Sequence, residues 1–204
     1  RCAIVTGVQT CALPISAQET ENDAALTLVL KSNDETRAVY PFDFEITFTY
    51  RLKGNTLTLD QNYHNYSSQP MPFSTGLHPY FWVTDKNQIE LDIPASQYKD
   101  NVNQGTYDYE GKFDLNQDEI DAQLHPLSRQ VSALALPQRG FNIQLSFSPE
   151  YTTAVFWTVK GKEFACLEPW TAPRNALNTG EDLLVIPPWE NKALQVIFEI
   201  NPIN

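Results

Sequence analysis

Residues 42–52 read FDFEITFTYRL, with Phe42, Phe44, Ile46, Phe48 and Tyr50 at every second position. A period of two lines one face of an extended strand, so this stretch predicts a half-buried β-strand. Lys53-Gly54-Asn55 supplies a tight turn and residues 56–65 return, which together predict a β-hairpin. Residues 25–32 alternate in the same way upstream. Further short runs predict strands over 88–93, 131–136, 142–147, 152–159, 163–167, 182–186 and 193–200, with prolines at the joints. Residues 117–124 suggest one short helical turn, and no long amphipathic helix is visible. The pattern is all-β: stacked antiparallel sheets in a β-sandwich.

A chain of 204 residues with 42% hydrophobic content suffices for one domain with a sizeable core. Its 25 acidic against 14 basic residues give a net charge of −11, and no basic face is available for a phosphate backbone or an anionic bilayer. Nucleic acid and membrane are therefore not expected partners. No apolar stretch approaches a membrane span.

The first sixteen residues, RCAIVTGVQTCALPIS, stand apart. A secretory signal is a poor match, because Gln9 and Thr10 interrupt the apolar region and no small-residue cleavage site follows. Residues 5–15, VTGVQTCALPI, instead resemble a sequencing-library adapter read as codons. Residues 1–16 are accordingly expected to be non-native, and residues 17–204 to be the C-terminal part of a longer domain, incomplete at its N-terminus. A sandwich lacking early strands exposes sheet edges, so the chain is expected to fold poorly or turn over slowly. Setting residues 1–16 aside removes Cys2 and Cys11 and leaves Cys166 alone, which fits a reducing, cytoplasmic compartment.

Two polar interruptions break the apolar pattern. In STGLHPYFWV, His78 lies between Gly76 and Pro79 inside an aromatic run. The glycine permits a bend and the proline fixes the following φ, a combination that aims one side chain. Taken alone, a core histidine bonded to a carbonyl is the commoner meaning. In FACLEPWTAPRNALNTG, Glu168 closes an apolar run and precedes Pro169 and Trp170. A carboxylate there is partly desolvated, which raises its pKa toward a useful base, although strand-end glutamates commonly face water.

MPFSTGLHPYF, FACLEPWTAPRNALNTG and the closing VIPPWENKALQVIFEI resemble the aldose 1-epimerase (galactose mutarotase-like) family, and residues 36–65 resemble its central hairpin. The resemblance runs from about residue 25 to the end. It implies a β-supersandwich whose concave face holds a sugar, with His78 as general acid and Glu168 as general base. The reaction opens the hemiacetal ring, rotates about C1–C2 and recloses it. Imidazole exchanges protons near neutral pH and a carboxylate tuned upward complements it. The two groups are expected to converge across one hollow, a pyranose width apart. No cofactor is implied, and His64, His78 and His125 show no short ligand spacing, so no metal is expected.

The resemblance also nominates Asp121, with Asp114 competing, to hold sugar hydroxyls. Trp170 and Tyr80 are candidates for stacking on a pyranose, though aromatics in a sandwich are more often core. Arg174 is the one arginine near Glu168 in sequence and is the candidate for a phosphate. Trp82 and Trp157 are assigned to the core, His125 to a loop, His64 to a water-facing strand position, and Asn178 to the turn after Glu168. An isomerase acting on a hexose is the leading reading. A hexose-6-phosphate mutarotase and a non-catalytic carbohydrate-binding module are the alternatives.

Overall fold

The computed structural model of the chain describes residues 12–203. Residues 1–11 of the adapter-like segment lie outside the described residues. Its remaining part enters the first strand. The chain divides into two compact units, Arg1–Pro72 with Val185–Gln195, and Phe73–Leu184 with Val196–Asn204.

The first unit carries β1 (Leu13–Glu19), β2 (Asp23–Lys31), β3 (Phe44–Lys53) and β4 (Thr56–Asn65), paired antiparallel in that order. The predicted hairpin is present in register, with Lys53 opposite Thr56. Gly54 closes it at φ +57°, a left-handed conformation that a side chain would strain. β1 is exposed along its whole length, and Leu13 and Ile15 face water. Between β2 and β3 lies α1 (Asp34–Val39), which the alternation pattern did not predict. Its start is fixed by a capping box between Asn33 and Thr36, with Asp34 and Glu35 in the first turn. The short β5 (Met71–Phe73) completes the run. Fully buried Asn65 donates from Nδ2 to the carbonyls of Gln69, Ile186 and Pro187, tying two loops of the unit together.

In the second unit β6 (Tyr80–Trp82), β7 (Glu90–Asp92), β8 (Gln97–Asp100), β9 (Thr106–Asp108) and β10 (Glu119–Leu124) come first. They are followed by β11 (Val131–Leu136), β12 (Phe141–Phe147), β13 (Thr153–Val159), β14 (Phe164–Trp170) and the single turn α2 (Ala176–Thr179). β15 (Leu184–Ile186) pairs with β5, and β16 (Asn191–Pro202) starts in the first unit beside β4 and ends in the second beside β12. One sheet of this unit runs β16-β12-β11-β7 and the other β6-β14-β13-β10-β8-β9.

The helical turn expected at residues 117–124 is not there. Glu119–Leu124 is strand β10, in register with β13 and β8. Ile120, Ala122 and Leu124 alternate into the core, and their burial overrides the weak strand preference of the intervening Asp121 and Gln123. Ala165 and Leu167 on β14, Ala154 and Phe156 on β13, and Leu134, Leu145 and Val196 on the other sheet are buried as well. Fully burying a large apolar side chain contributes roughly 1.5–3 kcal/mol. The antiparallel sandwich predicted from the alternation is the architecture found. Among the described residues no helix is long and apolar enough to cross a membrane.

Candidate active site

Strand register assembles the site. Along β14 the alternation sends Ala165 and Leu167 to the core and Cys166, Glu168 and Trp170 to the opposite face. Directly opposed residues of an antiparallel pair share a face. Tyr80 opposes Cys166 across β6, Val155 opposes Glu168, and Trp157 opposes Cys166 across β13. One strand further, Asp121 opposes Trp157 and Gln123 opposes Val155. Residues distant in sequence thus meet on one face of the six-stranded sheet.

His78 enters this face from the segment before β6. Its Nε2 lies 3.3 Å from Oε1 of Glu168, and the histidine side chain is 50% exposed while the carboxylate side chain is 2% exposed. The pair is in direct reach, not a pyranose width apart as expected. The position of His78 depends on the approach at Gly76, which bridges to Trp170. A Cβ at Gly76 would lie 2.6 Å from Cδ1 of the Trp170 indole, so close packing, not a bend in φ, requires the glycine. The His78 ring stacks on Tyr80 at 4.9 Å and 13°, and meets the edge of Trp157 at 5.5 Å and 87°.

Burial of Glu168 pushes its carboxyl from 4.5 up to about 8. Desolvation is the main cause and Asp121 adds to it, while the Trp170 indole N–H and Arg174 pull the other way. The indole Nε1 donates to Oε2 at 3.1 Å, which leaves Oε1 facing His78. Burial likewise pushes the Cys166 thiol up to about 12, with the charge of Glu168 adding to the effect.

The other nominated residues are engaged with one another. Arg174 donates to Oδ2 of Asp121 at 3.3 Å, its backbone N–H donates to Gln123, and its guanidinium lies 6.0 Å from the Trp170 ring centroid. Asn101 donates to the other oxygen of Asp121. Asp114 instead caps its own loop at Asn116. Trp82 and Trp157 are not core residues. Trp82 is 58% exposed on the edge strand β6, and Trp157 is half-buried with its indole N–H donated to Glu119. Both lie on the site face, and aromatic character alone does not report which face a strand position takes. His64 is half-buried and stacked on Tyr66 in the first unit, so it does not simply face water. His125 precedes Pro126 in a loop, bonded to Thr153, and Asn178 of α2 donates to Asn175, the residue that precedes the helix. Cys166, which the sequence suggested only as a sign of the redox compartment, also lies on this face, and its spacing of two from Glu168 already puts both on one strand face.

The aldose 1-epimerase family profile matches residues 14–193. Among solved structures, the Slr1438 protein of Synechocystis sp. PCC 6803 superposes with a TM-score of 0.90 at 40% identity, over 94% of this chain and 66% of that one. A galactose mutarotase-like protein from Clostridium acetobutylicum shares the fold, with a TM-score of 0.80 at 17% identity, over 94% and 67% of the two chains. The LacX protein of Lactococcus lactis is 22% identical over 81% of this chain and 62% of its own. The chain therefore spans less than two thirds of LacX and of Slr1438.

Proposed function

The chain belongs to the aldose 1-epimerase family, and on that premise we propose that it interconverts the anomers of an aldohexose, with His78 and Glu168 carrying the proton transfers. The observation that carries this reading is the 3.3 Å approach of an accessible imidazole to a buried carboxyl. The hemiacetal presents its hydroxyl O1 and ring oxygen O5 on the same carbon, closer together than a hydrogen-bond length. Two groups in mutual reach can each address one of them, so a direct pair suits the chemistry better than a wide gap.

The pair works with one shared proton. Ring opening takes the proton of O1 onto one group while the other gives its proton to O5. After rotation about C1–C2, closure runs the transfers backward, so each group is acid once and base once per turnover. With Glu168 raised to about 8, the carboxyl holds the proton at neutral pH and gives it up first, an order of roles opposite to the one the resemblance implies. Transfer of that proton across the pair exchanges the two roles. Proton balance is kept at every step.

On this reading Asp121 and Arg174, which bond to each other beside the Trp170 ring, bind the sugar hydroxyls. Because Arg174 is engaged by Asp121, an uncharged aldose is favoured over a hexose phosphate. Tyr80 supports His78 by stacking on it. A free Cys166 thiol suits a cytoplasmic, reducing compartment.

Polarimetry of α-glucose, α-galactose and glucose 6-phosphate tests this reading. The chain is expected to accelerate mutarotation of a free aldose, and His78→Ala and Glu168→Gln are each expected to lose roughly 10²- to 10⁴-fold. Sugar binding with no acceleration would make the protein a binding module. Variants as fast as the parent would remove the two residues from the chemistry.

A further inference from the structure

Histidine spacing gave no reason to expect a metal, but the fold brings two other donor types to one histidine. A ring nitrogen of His78, Sγ of Cys166 and a carboxylate oxygen of Glu168 all lie within 4.8 Å of one another. We propose that these three side chains bind a single Zn²⁺-type dication reversibly, and that the bound ion blocks the site.

The donor set selects the ion. Thiolate, imidazole and carboxylate suit a borderline metal such as Zn²⁺ or Co²⁺, whereas Mg²⁺ and Ca²⁺ require six or more oxygens. The geometry is near that of a tetrahedral centre. Bonds of about 2.0–2.1 Å to nitrogen and oxygen separate those two ligands by about 3.3 Å, and Nε2 and Oε1 are 3.3 Å apart. The sulfur has to close by about 1 Å at most to complete a bond of about 2.3 Å. His78, being half exposed, can follow the ion as it moves toward the sulfur. Two ligands are fixed on one strand, since Cys166 and Glu168 are both fully buried on β14. Trp170 holds the far carboxylate oxygen and leaves Oε1 free for the ion, an outer-shell contact of the kind that orients metal ligands. Two anionic ligands balance the dication. The fourth position opens on the exposed side of His78, toward water or a sugar hydroxyl.

Binding displaces the thiol proton and the carboxyl proton to solvent and involves no redox change. The ion occupies the two atoms that carry the proposed proton transfers. Inhibition competitive with aldose follows, a consequence that rests on the proposed function, whereas metal binding itself does not.

The test uses the full chain with Cys2→Ser and Cys11→Ser, which leaves Cys166 as its only thiol. Titration with Co²⁺ is expected to load one ion per chain and produce a thiolate-to-cobalt charge-transfer band, which Zn²⁺ then displaces. Cys166→Ser is expected to abolish the band, and His78→Ala to weaken Co²⁺ binding by at least roughly 10-fold. Because His78 is exposed, its variant folds even where the buried Cys166→Ser does not. No bound ion, a band that survives Cys166→Ser, or affinity unchanged in His78→Ala would overturn the site. A chain that binds Co²⁺ but does not accelerate mutarotation contradicts only the enzymatic reading, and an active chain that binds none contradicts only the metal site.

Discussion

Among its described residues the second unit holds two histidine–carboxylate arrangements, and they distribute burial in opposite ways. At His78 the carboxylate is buried and the imidazole faces solvent. At His125 the imidazole is 21% exposed, while Glu181 and Asp182 lie 3.7 and 3.8 Å away at 55% and 37% exposed. His125 also bonds to Thr153 and is fixed in its loop. Water solvates the carboxylates around His125, so that cluster is an ordinary surface network worth little in stability. The buried Glu168 lacks that solvation and its proton affinity rises into the range where proton transfer is useful. The same residue types thus yield a reactive pair or an inert one according to which partner the sheet buries.

The largest effect should separate the two clusters by rate. Where His78→Ala or Glu168→Gln removes roughly 10²- to 10⁴-fold of the mutarotation rate, His125→Ala is expected to change it by no more than about twofold. Equal losses at both histidines in polarimetry would dissolve the contrast.

Next comes stability against pH. The folded value of Glu168 is raised, so its contribution is fully present below about 4.5 and is lost as pH rises through about 8. Thermal unfolding should therefore show the chain weakening between those limits by an amount on the order of a few kcal/mol. Glu168→Gln should flatten that slope, and Glu181→Gln should leave it as it is. His78, Cys166, Asp121 and Arg174 surround the carboxyl and do not remove the desolvation that causes the slope.

A smaller effect is expected from Gly76→Ala. The added methyl presses on the Trp170 indole and should cost about 1–3 kcal/mol in denaturant unfolding. An unchanged midpoint would show that the indole is not held against the backbone there. Smallest is Trp170→Phe, which deletes the donor to Oε2 and should move the alkaline limb of the pH–rate profile up by roughly one unit. A downward move would contradict the assignment of that hydrogen bond.

Much of the sandwich was legible because half-buried strands print their burial every second residue, as residues 42–52 do. β10 was missed because Glu119, Asp121, Ala122 and Gln123 disfavour strands locally, and only pairing on both edges decides the outcome. The site was legible at His78 and Glu168, where polar residues interrupt apolar runs. Their separation was not, because it depends on how Gly76 meets Trp170 across the sheet. Trp157 was misassigned for a related reason: its face is set by register with Cys166, which no local pattern reports.

The ionisation of Glu168 tests the account most directly. In a chain carrying ¹³C-labelled glutamate, with Glu168→Gln used to assign the resonance, the side-chain carboxyl of Glu168 is predicted to titrate with a midpoint near 8. A midpoint near 4.5, the ordinary value for a glutamate, would mean that the sheet does not desolvate this carboxyl and would contradict the proton-sharing pair.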